Sequence, residues 1–306
     1  MQRMRAALLA ALVAVSALSA CQLPLQAGAG AYPMTMSDGL GREVRIVKRP
    51  QRFIAGAPNV TEILFAIGLG AKTVGVSEAS DWPPEAASVE KIGVGHTLQS
   101  LNLEKVVALR PDIFFAIGGQ AAIVPELERL GITVFVLEPR TVAEIMLAIR
   151  TVGEISGNTR EAQAVAAGMQ RRLDAVAARV ARVPEAERPR VFWEVWNNPL
   201  YTAGKGTFAH ELITLAGGLN VAGDVDGWPE YSLEVLVKQD PQVIITTFPE
   251  TVTAAPRRAG WAGMAAVKDS RIMLVDANLV SRPGPRIVDA LEALVKVVHP
   301  NLPEGK

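Results

Sequence analysis

From residue 158 to residue 183 the chain carries one uninterrupted helical pattern, with Ala162, Val165, Met169, Leu173, Val176, Val180 and Val183 spaced by three or four positions. Asn158, with Glu161 three residues on, reads as its N-terminal cap, and Pro184 stops it. At 1.5 Å per residue such a helix is roughly 37 Å long. That is long enough to cross a whole domain, so what flanks it decides the architecture. On the N-terminal side, short β-branched runs alternate with helical patterns: Arg52–Ala55 then Glu62–Ile67, Asp112–Ile117 then Ala121–Leu130, and Ile132–Leu137 then Val142–Ile155. The alternation resumes after Arg190, in Val191–Trp196, Val243–Thr247 and Ile272–Asp276. Strands alternating with helices predict α/β units with largely parallel sheets. The chain of 306 residues is long enough for two domain-sized cores.

A self-comparison supports two similar units. The segment from Thr61 to Gly68 (TEILFAIG) resembles that from His210 to Gly217 (HELITLAG). Leu103-Glu104 followed by Pro111-Asp112-Ile113 likewise matches Leu233-Glu234 followed by Pro241-Gln242-Val243. Both matches fall in the same order in the two halves, which is what an internal repeat requires. Ordinary helix-to-strand transitions of α/β folds are the alternative source of such short matches.

The N-terminus carries a different message. Arg3 and Arg5 precede an uncharged run from Ala6 to Ala20, too short for a bilayer span of about 20 residues and suited to a secretory signal. The run ends in Leu18-Ser19-Ala20-Cys21, which resembles the bacterial lipobox, and Cys21 is the only cysteine of the chain. Cleavage before Cys21 would leave it as a lipid attachment point; cleavage after Ser19 would give a soluble secreted protein. Residues 21–40 are rich in Gly, Ala and Pro and read as a flexible tether, on the order of 25 Å end to end if Gly-rich in behaviour. The expected organisation is therefore a signal peptide over 1–20, a tether over 21–40, an N-terminal lobe over 41–157, the linking helix over 158–183 and a C-terminal lobe over 184–306.

Composition narrows the function. Lys and Arg together number 31, and so do Asp and Glu, leaving no basic footprint for nucleic acid. Removing Arg3 and Arg5 with the leader makes the mature chain slightly acidic. One cysteine excludes a disulfide framework and a Cys-rich metal site. No G-x-S-x-G, H-E-x-x-H or G-x-G-x-x-G occurs. Of the three histidines, His210 falls on an amphipathic helix and His299 in the tail, which leaves His96, in the Gly-rich turn Gly93–Thr97, as a ligand candidate. Aromatic residues do cluster in loops at strand ends: Trp82 in Asp81-Trp82-Pro83-Pro84, Trp196 and Tyr201 around Asn197-Asn198-Pro199, and Trp228 in Gly227-Trp228-Pro229. Ligands of α/β sheets sit beyond the carboxyl ends of the strands, so flat side chains there suit a large, flat ligand. Trp193, inside a strand, and Trp261, before a helix, read as packing.

The segments Pro58–Glu62, Asp81–Glu85, Leu101–Glu104, Tyr201–Gly206, Trp228–Glu234 and Arg282–Arg286 together resemble the helical-backbone (class III) group of ABC-transporter substrate-binding proteins. The resemblance runs from about residue 45 to residue 300 and is strongest to the cobalamin-binding branch. It implies two α/β lobes, each with a mostly parallel central sheet, joined by one rigid helix, with the ligand between the lobes and no catalysis. It implies a ligand site at Trp82, Tyr201, Trp228, Asn278 and Arg282, with Arg282 meeting a polar or anionic edge; His96, from its turn, and Leu98, at a family cleft position, complete the expected ligand-binding set. It also implies docking on the permease through one glutamate per lobe, Glu104 and Glu234, for which helix capping is the competing role. Ala79, Leu98 and Ile117 stand where cobalamin-binding relatives place aromatics, and Asn278 stands where they place an acid. The expected ligand is cobalamin or a related corrinoid; haem, with Tyr201 or His96 as axial ligand, and a ferric siderophore remain open. The implied protein is a monomer tethered to the membrane by Cys21, in the periplasm or on the outer face of the cell membrane. An envelope chelatase or hydrolase of similar build would need a positioned base, for which only His96 is on offer.

Overall fold

The computed structural model describes residues 32–303, so the leader and Cys21 lie outside the described residues. The first elements are a hairpin, β1 (Met34–Ser37) and β2 (Glu43–Ile46). Part of the stretch read as tether is thus folded. The reason is Asp38, whose carboxylate accepts hydrogen bonds from the Leu40 and Arg42 amides at 3.0 Å, from the Arg42 guanidinium at 2.5 Å and from the Val136 amide at 3.2 Å. The Tyr32 hydroxyl adds a hydrogen bond to the Ile155 carbonyl at 2.7 Å.

The N-terminal lobe runs β3 (Phe53–Ala55), α1 (Pro58–Ala66), β4 (Thr73–Val76), α2 (Leu103–Ala108), β5 (Ile113–Ile117), α3 (Val124–Arg129), β6 (Val134–Leu137) and α4 (Val142–Ser156). Its sheet is entirely parallel, in the order β4-β3-β5-β6. Alternate residues serve opposite faces: Phe53, Ala55 and Phe115 enter one hydrophobic cluster, whereas Ile54, Phe114 and Ala116 enter another. A parallel sheet covered on both faces is what these near-continuous apolar runs require.

After α5 (Thr159–Val180) the second lobe comprises β7 (Arg190–Asn197), β8 (Leu200–Thr202), α6 (Phe208–Leu215), β9 (Leu219–Asn220), α7 (Leu233–Gln239), β10 (Val243–Thr246), α8 (Pro249–Ala254), α9 (Ala265–Lys268), β11 (Ile272–Leu274), α10 (Ala277–Val280) and α11 (Ile287–Val298). Its parallel pairings run β9-β7-β10-β11, with β8 added antiparallel to β7. Counted over the parallel strands alone, both lobes therefore read second, first, third, fourth in chain order. The two matched sequence segments fall at α1 and α6, after each lobe's first strand, and at α2 and α7, before each third strand. The repeat is thus one of topology as well as of sequence.

Helix α5 spans 22 residues, about 33 Å, and ends three residues before the expected boundary. Asn158 does not cap it through its side chain; its amide instead donates to the Ile67 carbonyl at 3.0 Å and accepts from Arg49 at 3.1 Å. The helix buries Ala162, Ala166, Met169, Val176 and Val180, and these join a single hydrophobic cluster running from Phe53 through α4 and α5 to Val191 and α11. Close approach to α4 depends on Gly153, where a Cβ would come within 2.2 Å of the Ala162 Cβ. Arg172 fastens the other end to α11 through Asp289 at 2.5 Å and Glu292 at 2.8 Å. A connector packed against both lobes along its length restricts them to small relative movements. Trp193 (4% exposed) and Trp261 (fully buried) are core residues, as expected from their positions.

Candidate functional site

The carboxyl ends of all four N-terminal-lobe strands open onto one cleft of about 730 Å³. Gly56 and Ala57 follow β3, Ser77 and Ala79 follow β4, Ile117 and Gln120 follow β5, and Leu137, Glu138 and Arg140 follow β6. The second lobe closes the other side with Phe208, Trp228, Asn278, Ser281 and Arg282. Strand order reverses between β3 and β5, the switch point at which open α/β sheets characteristically bind ligands. There the buried Gln120 amide donates to the Gly56 carbonyl at 2.7 Å, and its oxygen accepts from the Ile117 amide at 3.1 Å. Gly56 has no room for a side chain, since a Cβ would lie 2.6 Å from Gln120. The floor of the cleft is consequently rigid.

Chemically the walls differ. Pro58, Val94, Ile117, Leu137 and Pro139 make much of the N-terminal-lobe side apolar. Opposite them Phe208 and Trp228 pack edge to face, ring centroids 5.8 Å apart, with Trp228 46% exposed. Charged and ionisable groups on the lining are His96, Glu138, Arg140 and Arg282. The Glu138 carboxylate accepts from the Gly118 amide at 2.7 Å. Among the described residues no group of three or more His, Cys, Asp or Glu is placed to hold a metal ion.

Of the expected ligand residues, His96, Trp228, Asn278 and Arg282 line this cleft, whereas Trp82, Leu98 and Tyr201 do not. Trp82 offers a ring face to Arg286, 4.7 Å from its centroid. Leu98 sits in an exposed single turn capped by Thr97, and Tyr201 is half-buried on β8, bridged to Glu230. Arg282 reaches the cleft, but its guanidinium is already engaged: it donates to Asp81 at 2.5 Å, to the Asn278 side chain at 2.8 Å, to the Ala79 carbonyl at 3.2 Å and to Glu62 at 3.4 Å. That engagement holds the Asp81 carboxyl below the usual carboxylate range. Arg286 adds hydrogen bonds to Glu62 at 2.6 and 3.1 Å. Glu62 and Asp81 belong to the first lobe and both arginines to the second, so this ionic cluster ties the lobes together beside the cleft.

Glu62 was legible as part of a family motif and of the repeat, and Arg282 and Arg286 as part of another motif; their pairing across the lobes was not. The repeat did hold a signal, because Glu211 on α6 is the counterpart of Glu62. Glu211 accepts from the Val142 amide at 2.7 Å, again across the lobe boundary, and burial, with Glu144 nearby, raises its pKa. Each lobe's first helix thus presents a carboxylate to the other lobe. Gln120, Glu138, Arg140 and Phe208 were not singled out either, although loops after predicted strands are where the switch-point rule looks. His210 and His299 have structural roles, with side-chain contacts to Asn220 at 3.0 Å and to the Gly217 carbonyl at 3.1 Å.

Glu104 and Glu234 occupy matching places in the first turns of α2 and α7. Both are exposed, and neither carboxylate has a hydrogen bond or ion pair among the described residues. Asn102 caps α2 through the Lys105 amide at 3.0 Å. Neither glutamate makes a capping hydrogen bond, while both stand in a first turn, where the helix dipole favours a carboxylate.

Comparison with known proteins agrees with this architecture. Residues 54–279 match the family described as periplasmic binding protein. The chain is 33% identical over 276 residues to the uncharacterized ABC transporter substrate-binding lipoprotein YvrC of Bacillus subtilis, covering 88% of this chain and 87% of that one. It is 32% identical over 246 residues to a vitamin B12-binding protein of Vibrio cholerae, covering 79% and 87%. Among solved structures, the vitamin B12-binding protein BtuF of Vibrio cholerae superposes with a TM-score of 0.70 at 30% identity, covering 82% of this chain and 97% of that one. A periplasmic haem-binding protein of Pseudomonas aeruginosa gives 0.74 at 25%, covering 83% and 94%. No helix among the described residues is long and apolar enough to cross a membrane. By family match, relatives and two-lobed fold, the chain belongs to the periplasmic binding proteins, as an exported solute-binding protein of the ABC-importer class whose relatives take vitamin B12 or haem.

Proposed function

We propose that this chain captures cobalamin or a closely related corrinoid in the interlobe cleft and delivers it, without catalysis, to the permease of an ABC importer. The observation that carries the reading is the cleft itself: a site of about 730 Å³ at the switch point, with apolar residues interspersed with polar and charged ones on the N-terminal lobe and Phe208 and Trp228 walling the other side. Such a site suits a broad ring system whose faces are apolar and whose edge is polar. Relatives named for vitamin B12, at 32% and 30% identity, support corrinoid over other macrocycles. Affinity in this reading comes from burying the ring between the lobes, while the exposed Asn278 offers an amide to its edge. Trp82, Leu98 and Tyr201, which lie off the cleft lining, would act at most after some movement of the lobes.

Haem is the second reading, favoured by the exposed His96 ring on the cleft lining and by the haem-binding neighbour. Calorimetric titration of the purified mature protein with cyanocobalamin, haem and a ferric siderophore separates the readings. Tight one-to-one binding of cyanocobalamin supports the corrinoid reading. Selective haem binding that is lost in His96→Ala replaces it with the second, and selective siderophore binding rejects both.

Docking on the permease would use Glu104 and Glu234, one exposed and unpaired carboxylate per lobe, each received by a basic pocket. Cys21, in its lipobox context, would carry the lipid that keeps the receptor beside the membrane, in line with the B. subtilis relative's description as a lipoprotein. Incorporation of labelled palmitate that disappears in Cys21→Ser is the expected result, and incorporation that survives the substitution refutes the anchor.

A further inference from the structure

The cleft lining includes two arginines in different electrostatic states. Arg282 is 8% exposed and saturated by Asp81, Glu62, Asn278 and the Ala79 carbonyl, so a ligand anion would have to displace the protein's own carboxylates to reach it. Arg140, on the loop between β6 and α4, is exposed on the same lining, and its guanidinium has no hydrogen bond or ion pair among the described residues. Its backbone is fixed, however: the Arg140 amide donates to Glu144 at 2.6 Å, and Thr141 caps α4 by accepting from the Glu144 amide at 3.1 Å. Pro139 precedes it, and the Glu138 carboxylate is anchored to the Gly118 amide at 2.7 Å. A planar, permanently charged fork on a fixed backbone is the side chain best suited to a phosphodiester or carboxylate oxygen pair. Glu138 sets a limit on the charge it can meet, because a carboxylate on the same loop opposes a ligand that is anionic all round.

We propose that Arg140 is the anion contact of the cleft, and that it meets one anionic oxygen pair, phosphodiester or carboxylate, carried at the periphery of the ligand's ring system. This rests on the macrocycle reading above and sharpens it: Arg282 holds the lobes together, and Arg140 reads the ligand's charge. Cobalamin carries one phosphodiester in its nucleotide loop, whereas cobinamide has none. Haem carries two propionates, which its dimethyl ester removes.

The test titrates wild type, Arg140→Gln and Arg140→Lys with cyanocobalamin, dicyanocobinamide, haem and haem dimethyl ester, following tryptophan quenching. Arg140→Gln is expected to weaken cyanocobalamin about tenfold, the loss of roughly one charge-assisted contact, and to leave dicyanocobinamide unchanged. Arg140→Lys should recover part of the loss. The same contrast between haem and its dimethyl ester identifies the carboxylate as the source of the anion. Equal effects of Arg140→Gln on charged and uncharged partners, or no effect on any, overturn the assignment while leaving the macrocycle reading intact. Wild-type protein that binds none of the four refutes the macrocycle reading and the assignment built on it.

Discussion

Replacing Glu62 with alanine removes the one carboxylate that both interlobe arginines share. Its side chain is only 2% exposed, against 9% for Arg282 and 20% for Arg286, so the arginines cannot recover full hydration once it is gone. Removing one partner of a buried ion pair costs about 3–5 kcal/mol, because the remaining charge is left uncompensated. The lower end applies, since Arg282 retains Asp81 and two further acceptors. Arg286 keeps only the face of Trp82 among the partners described above. A loss of about 3 kcal/mol corresponds to a fall in Tm of roughly 6–12 °C for a chain of this size. Asp81→Ala provides the contrast: that carboxylate is 59% exposed, so its pairing contributes about 0–1 kcal/mol. Glu62→Leu combined with Arg286→Met should regain most of the loss, because an apolar pair of similar volume needs no compensating charge. Scanning calorimetry of the four proteins at neutral pH tests the ranking. A Tm shift under about 2 °C for Glu62→Ala, or a shift no larger than that of Asp81→Ala, would refute the claim that Glu62 is the centre of the tie.

Three further expectations follow from the same geometry. Glu104→Ala with Glu234→Ala should abolish ligand uptake in cells while leaving the purified receptor's affinity unchanged; impaired binding with intact uptake contradicts the docking role. Gly153→Ala should cost about 1–3 kcal/mol by overpacking α4 against α5, and Ala162→Gly in the same chain should restore part of it in denaturant unfolding; no restoration places the strain elsewhere. Burial alone would raise the Asp38 pKa, but hydrogen bonds from Arg42, Leu40 and Val136 outweigh it and hold the group below its ordinary value of 3.8. Its contribution is therefore complete above about pH 4 and fades as pH falls through the folded-state value. Asp38→Asn should be less stable than wild type at pH 7 and lose that deficit in acid, and a deficit unchanged down to about pH 2 rejects the pairing as its origin.

Periodicity made the scaffold legible, and tertiary geometry hid much of the site. The apolar spacing of α5 and the β-branched runs at β3, β5, β6, β7 and β10 each reflect burial on a defined face, which is local information. The hairpin β1–β2 escaped because β1 is short and uncharged, and what holds the hairpin, Asp38 reaching β6 and Val44 and Ile46 entering the core, involves residues distant in the chain. His96 and Trp228 were visible as unusual residues in turns. Arg140 and Glu138 were not, because nothing local distinguishes a charged residue in a loop facing a cleft from one facing water. Arg282 was legible as a residue in the cleft, while its engagement by Glu62 and Asp81 depends on positions about 200 residues earlier in the chain. Of the aromatic positions carried over from relatives, Trp228 lines the cleft, whereas Trp82 packs against Arg286 and Tyr201 lies on β8, off the cleft lining.

A corrinoid bound between the lobes would bring its cobalt into the cleft. Crystals of the mature protein grown with cyanocobalamin, measured on either side of the cobalt absorption edge, test it without reference to any side chain. The expected result is one strong cobalt peak in the cleft between Trp228 and the loop after β3, with the nucleotide loop directed to Arg140. A cobalt peak on the outer surface of either lobe, or none at saturating ligand, would contradict it.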